Sequence, residues 1–283
     1  MLPLCHVRFV LSNGRRRPGD RRGGTSGQGG AIVVENRPLS THIRPPAGAG
    51  DRGFVSTPGT PRPLVSAQAT GLHGSIAVPG DKSISHRALI FGALSVGTTS
   101  VQGLLEGDDV LCTAAALRAL GAGIEQHSDG TWTIDGLGVG GLHEPASVLD
   151  LGNSGTGARL LMGVAASHPF TSFFTGDASL CRRPMGRVAV PLERMGARFV
   201  ARSGIRPPLA VIGSAAPLPI EYKLPVASAQ VKSAILLAGL NAPGITTVLE
   251  PEPTRDHTEN LLRHFGAEVS VEPLADGGRA IHL

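Results

Sequence analysis

Lys82, Ser83, His86 and Arg87 crowd the start of a run that is otherwise apolar, PGDKSISHRALIFGALSVG. The run predicts a buried helix. A helix N-terminus already carries partial positive charge, so adding cations there opposes folding. The arrangement makes sense if an anion sits on the exposed backbone N–H groups of the first turn. Two further stretches have the same character, LGNSGTGAR (151–159) and VASAQVKS (226–233). Across the three, Lys82, Arg87, Arg159 and Lys232 supply cations, while Ser83, Thr156, Ser228 and Gln230 supply neutral donors. Ser83 and Arg87 are four apart and share a helix face. A capping role accounts for any one of Ser83, Asn153 and Ser228 taken alone. Three matching helix starts with cations point instead to one shared anion site. Arg182, Arg183 and Arg187 cluster in the loop TGDASLCRRPMGR, where forked guanidiniums suit a carboxylate or phosphate. For Arg182 and Arg187 a solvated loop suffices. Arg255, Asp256 and His257 read as the first turn of a surface helix.

Other chemistries find little support. The glycines of LGNSGTG do not have the spacing of a dinucleotide loop, and no GK[ST] triplet completes a phosphate-binding loop of the ATPase kind. His86, His127, His143, His168, His264 and His282 show no ligand spacing. Cys5, Cys112 and Cys181 lie far apart, which gives neither a disulfide framework nor a zinc site and predicts a reducing compartment. The net charge of +4 is unevenly placed. Residues 1–66 hold ten arginines and three acids, while the remainder holds more acids than bases. The basic character therefore belongs to a Gly/Pro-rich N-terminal stretch and not to a folded nucleic-acid surface. No apolar run is long enough to span a membrane as a helix.

The elements that must position these residues repeat. LRALGAGI, LERMGARF and LRHFGAEV each read as a helix end, a Gly cap and a strand start, beginning at Leu117, Leu192 and Leu262. A more apolar helix precedes each, aligned through Leu89, Leu160 and Leu236. Hairpins follow, with turns at Asp129-Gly130 and at Asp276-Gly277-Gly278. The unit is strand, helix, strand, helix, strand, strand, about 70 residues long. The first helix of each unit is apolar all round and predicted buried. The second, carrying Arg118, Glu193, Arg194 and Arg263, is predicted to face water. The fold class expected is α/β, with three βαβαββ units closed around buried parallel helices whose N-terminal tips converge.

Taken together, PGDKSISHRALIFGALSVG, LEGDDVLCTAAALRALGA, LGNSGTGARLLMG, GDASLCRRPMGRV, ASAQVKSAILLAGL and EPTRDHTENLL resemble the 5-enolpyruvylshikimate-3-phosphate synthase family (3-phosphoshikimate 1-carboxyvinyltransferase) over about residues 67–283. The wording is most similar to the bacterial, glyphosate-tolerant class II type. The resemblance implies transfer of the enolpyruvyl group of phosphoenolpyruvate to the 5-hydroxyl of shikimate 3-phosphate, with release of phosphate, on the way to chorismate and the aromatic amino acids. It implies no metal or organic cofactor. Both substrates are anions. Lys82, Ser83 and Arg87 would grip shikimate 3-phosphate, with Lys82 also reaching phosphoenolpyruvate and shuttling a proton. Ser228, Ala229 and Gln230 would make a second contact with that phosphate, Ala229 through its backbone alone. Gly155, Arg183 and Gln230 would meet phosphoenolpyruvate, and Arg255 would lie near the shikimate ring. Tolerant members often carry Ala where this chain has Gly155. The relative acting on UDP-N-acetylglucosamine fits less well, because it typically has Lys-Asn in place of Lys82-Ser83.

The family has two three-unit domains with the active site between them, and this chain matches one. The resemblance therefore implies an N-terminal half. Residues 1–66 would be a disordered or spurious extension, 67–81 a strand and hinge towards a C-terminal domain, and 82–283 the three-unit domain. The implied partners are the two small substrates and that second domain, with no nucleic acid and no membrane, in a cytoplasmic protein that is a monomer at full length. No residue here matches the family's Asp base, so the isolated chain is expected to be inactive. An anion-binding half domain without catalysis is the alternative.

Overall fold

Residues 78–283, Ser75 and the backbone of Val7–Val10 are described by a computed structural model of the chain. Among these residues one order of elements occurs three times. The first set is β1 (Val7–Val10), α1 (Lys82–Leu94), β2 (Val96–Gln102), α2 (Asp108–Ala119), β3 (Gly123–Gln126) and β4 (Trp132–Leu137). The second is β5 (Leu149–Asp150), α3 (Gly155–Ala166), β6 (Thr171–Thr175), α4 (Gly186–Arg194), β7 (Arg198–Arg202) and β8 (Arg206–Ile212). The third is β9 (Glu221–Lys223), α5 (Ala229–Gly239), β10 (Thr247–Glu250), α6 (His257–His264), β11 (Ser270–Pro273) and β12 (Arg279–His282). Each set folds into its own four-stranded sheet, ordered β1-β2-β4-β3, β5-β6-β8-β7 and β9-β10-β12-β11. The first strand always runs parallel to the second, and the closing hairpin pairs antiparallel with it.

Local chemistry explains the repetition. Gly121, Gly196 and Gly266 follow α2, α4 and α6 with φ of 99°, 104° and 89°, a left-handed turn that a Cβ would strain. The hairpin turns also form as the sequence predicts. Asp129 accepts from the Thr131 amide, and Asp276 accepts from the Gly278 amide. The first helix of each unit is buried, with Leu89, Leu160 and Leu236 wholly inaccessible. The second helices present Arg118, Glu193, Arg194 and Arg263 to solvent.

α3 and α5 lie parallel and in register. Near their starts Gln230 Nε2 donates to Thr156 Oγ1 at 2.9 Å. Past their ends Asn241 Nδ2 donates to the Ser167 carbonyl at 3.0 Å. Between these contacts Gly163 faces Ala234 so closely that a Cβ at 163 would lie 2.4 Å from the Ala234 carbonyl oxygen. α1 joins the pair at the same end. Its His86 Nδ1 meets Thr113 Oγ1 of α2 at 2.8 Å, and that hydroxyl abuts Gly157 of α3. Arg87 Nη2 of α1 donates to Ser233 Oγ of α5 at 2.7 Å.

Within the extension 1–66, Val7–Val10 add a parallel strand to the edge of β2, in the place that β5 and β9 hold in the other sheets. The Val-Arg-Phe-Val segment is rich in residues that favour strands, and an open sheet edge templates such a run. The rest of 1–66, with Cys5, and most of the strand expected before Asp81 lie outside the described residues.

Gly163→Ala is expected to destabilise the protein by about 1–3 kcal/mol through overpacking against α5. Urea unfolding measures this, and an unchanged midpoint would show that the helices can part without cost.

Candidate functional site

The tip of α1 is built by Asp81, which caps the helix by accepting from the Ile84 amide at 2.9 Å. This frees Ser83 from capping. Its hydroxyl instead accepts from Arg255 Nη1 at 3.2 Å, across a gap of 172 residues in sequence. α3 is capped by Ser154 and not by Asn153, whose Oδ1 accepts from Arg183 Nη2. Ser228 does cap α5, accepting from the Val231 amide at 3.4 Å. Ser228, Ala229 and Gln230 stand half-buried at that tip.

Arg87 lies beneath these tips and is 3% exposed. Nη1 donates to the Ser83 carbonyl at 2.9 Å, Nε to Thr258 Oγ1 at 2.6 Å and Nη2 to Ser233 Oγ at 2.7 Å. It thus ties α1 to α5 and α6. Burial lowers its pKa to about 10, and the nearby Arg255 adds to the shift. A second group of cations sits at α3. Arg159 Nη1 donates to the Gly155 carbonyl at 3.0 Å, and Arg183 also donates to Ser179 Oγ at 3.1 Å. A Cβ on Gly155 would fall 2.7 Å from Arg183 Nη1 and 2.9 Å from Arg159 Nη1, so glycine leaves these guanidiniums room. Burial lowers the Arg159 pKa, with Arg183 and Arg187 repelling it further. Lys82 is half-exposed and paired with Asp109 at the start of α2.

Among the described residues, Arg159, Arg183 and Arg255 have no carboxylate within ion-pair distance. Guanidiniums that repel one another beside helix N-termini form a place where an anion would be stabilised. The groups that could act on a bound anion are Lys82, as a donor of charge and proton, and the ring of neutral donors at Ser83, Thr156 and Gln230.

With this geometry, residues 67–277 match the profile of EPSP synthase (3-phosphoshikimate 1-carboxyvinyltransferase). The chain belongs to the EPSP synthase family. A 3-phosphoshikimate 1-carboxyvinyltransferase of Paramagnetospirillum magneticum is 69% identical over 220 residues, covering 78% of this chain and 49% of that protein. One from Parvibaculum lavamentivorans is 65% identical over 218 residues, covering 77% and 48%. The solved EPSP synthase from Acinetobacter baumannii superposes with a TM-score of 0.69 at 51% identity, covering 74% of this chain and 46% of that one. The chain thus spans about half the length of these EPSP synthase relatives.

Lys232 departs from the sequence reading. It is not a cation of the site. Its side chain is wholly buried, and Nζ lies 2.6 Å from Glu259 Oε1 and 3.0 Å from Glu250 Oε1. α6 is likewise not purely a surface helix, since Thr258 and Glu259 are buried against α5. Sequence reasoning also missed Asp109, Thr113, Ser233 and Thr258. The signal available was Lys232 itself, a charge inside a helix apolar on every face, which demands a buried partner. Arg182 and Arg187 are exposed as expected. Arg182 lines a cavity with Arg202, Arg206 and Cys181, none of which belongs to the helix tips.

Burial lowers the His86 pKa from 6.5 to about 4. Between those values the unfolded chain takes up a proton at His86 and the folded chain does not. Stability is therefore expected to fall as pH drops from about 6.5 towards about 4. His257 and His168, also lowered by burial, act in the same direction. Unfolding midpoints measured across this range should show a shallower pH dependence for His86→Gln than for the parent.

Proposed function

We propose that this chain supplies the shikimate 3-phosphate-gripping half of a 3-phosphoshikimate 1-carboxyvinyltransferase, which moves the enolpyruvyl group of phosphoenolpyruvate to the 5-hydroxyl of shikimate 3-phosphate and releases phosphate. The observation that carries the reading is the identity of 60–69% to curated proteins of that name over the region that holds the helix tips. Residues 82–283 are the gripping domain. Residues 67–81 lead towards a second domain that closes the site, giving a cytoplasmic enzyme that works as a monomer.

Residue roles follow from charge and position. Lys82, Ser83 and Arg87 hold the 3-phosphate at the α1 tip, with Ser228, the Ala229 amide and Gln230 closing on it from α5. Arg255, bonded to Ser83, sits over the ring of the sugar acid. Arg183, Gly155 and Gln230 receive phosphoenolpyruvate at the α3 tip, where the absent Cβ at 155 leaves space beside Arg183. Lys82 is the chain's own proton carrier. Its pairing with Asp109 holds it aimed until an anion competes for it. The Asp base that the family resemblance implies has no match in this chain and belongs to the second domain.

Calorimetry on the 283-residue chain should show shikimate 3-phosphate binding that Lys82→Ala abolishes and Arg87→Ala weakens at least about tenfold. Unaltered binding in both variants would overturn the assignment. Phosphate release from the two substrates should appear only when the C-terminal half of a relative, such as the Paramagnetospirillum magneticum protein, is added. Turnover by the chain alone would refute the half-site reading.

A further inference from the structure

Directly behind Arg87 lies a second set of buried charges that the binding roles above do not use. Lys232 of α5 meets Glu259 of α6 and Glu250 at the end of β10, all three with side chains no more than 2% exposed. Thr254 donates its hydroxyl to the same Glu250 oxygen, which fixes the turn that leads into α6. The residues next in sequence are the ones that hold Arg87. Ser233 follows Lys232, and Thr258 precedes Glu259. The two hydroxyls lie 2.6 Å apart, and both accept from the Arg87 guanidinium. Ser233 donates its hydroxyl hydrogen bond to the Ala229 carbonyl at 2.5 Å, so Thr258 must donate to Ser233. Every hydroxyl in the chain of bonds is oriented.

Two carboxylates on one lysine leave an excess negative charge. Glu250 Oε2 and Glu259 Oε2 have no hydrogen-bond partner among the described residues. The charge of Glu259 favours the charged form of Arg87. The buried cations Arg87 and Lys232 thus match the two buried glutamates in number.

We propose that Lys232, Glu250 and Glu259 are positioning residues of the anion site. They clamp α6 and the Thr254–Arg255 turn to α5, and so set where Arg87 and Arg255 stand when the phosphate arrives. None of the three touches the ligand. The inference rests on the proposed function only for the identity of that ligand.

A buried ion cluster exchanged whole for apolar residues of similar size is often tolerated, whereas removing one member is not. The variant to make is therefore Lys232→Met with Glu250→Leu and Glu259→Leu in one chain. It should melt close to the parent. Hydrogen exchange should quicken in residues 252–258 while α3 keeps its protection, and shikimate 3-phosphate affinity should fall about tenfold. Glu259→Gln, which keeps the shape and removes one charge, should give a smaller loss in the same direction and serves if the triple variant does not fold. Parent-like exchange in 252–258 together with parent-like affinity would overturn the proposal. Should the parent itself fail to bind shikimate 3-phosphate, the proposed ligand falls, and the exchange measurement alone then decides whether the clamp exists.

Discussion

A buried guanidinium is tolerated only where its nitrogens find acceptors, and Arg87 has one on each of its three nitrogens. Its acceptors come from three places: a carbonyl one turn back in α1, a hydroxyl of α5 and a hydroxyl of α6. None of the helices supplies the set alone. The first and third units must therefore meet at one point for Arg87 to be tolerated, and once they meet, the tips of α1 and α5 are held on the same side. α3 is brought to that side by its in-register packing on α5, with the Gln230–Thr156 bond at the top. The convergence of helix ends follows from satisfying one buried cation.

The cost of this arrangement is positive charge at Arg159, Arg183 and Arg255 with no carboxylate in ion-pair reach among the described residues. Arg87 and Arg255 disfavour each other, as do Arg159, Arg183 and Arg187. Lys82, by contrast, is held by Asp109. The fixed, repelling cations are oriented in advance by carbonyls, hydroxyls and amide oxygens, so little reorganisation is needed when an anion enters. The paired lysine is held by a carboxylate, a partner that an entering anion can displace.

Much of this was legible in the sequence because it is local. Gly-Ala after each outer helix gave the left-handed caps, and the apolar helices gave the buried layer, down to Leu89, Leu160 and Leu236. The helix tips could be named because Ser, Asn and Thr cluster there. Capping, the plainer alternative for Ser83 and Asn153, falls instead to Asp81 and Ser154, one or two residues away. Capping depends on the φ and ψ of a single residue, which composition does not reveal. Lys232 was misread for a different reason. Its place in the first turn matches that of the binding cations, and only the approach of β10 and α6, some 18 to 27 residues further on, decides that it points inward. Ion pairs across elements leave no periodic trace in a single sequence.

The three sheets share no strand, and among the described residues no backbone ladder runs from one to the next. Each unit thus keeps its own hydrogen-bonded frame, and among the described residues the units hold together through side chains, helix packing and the connecting chain. A seam of that kind lets one frame loosen without unzipping its neighbours. A change at the edge of one sheet therefore need break no backbone hydrogen bond in the other two.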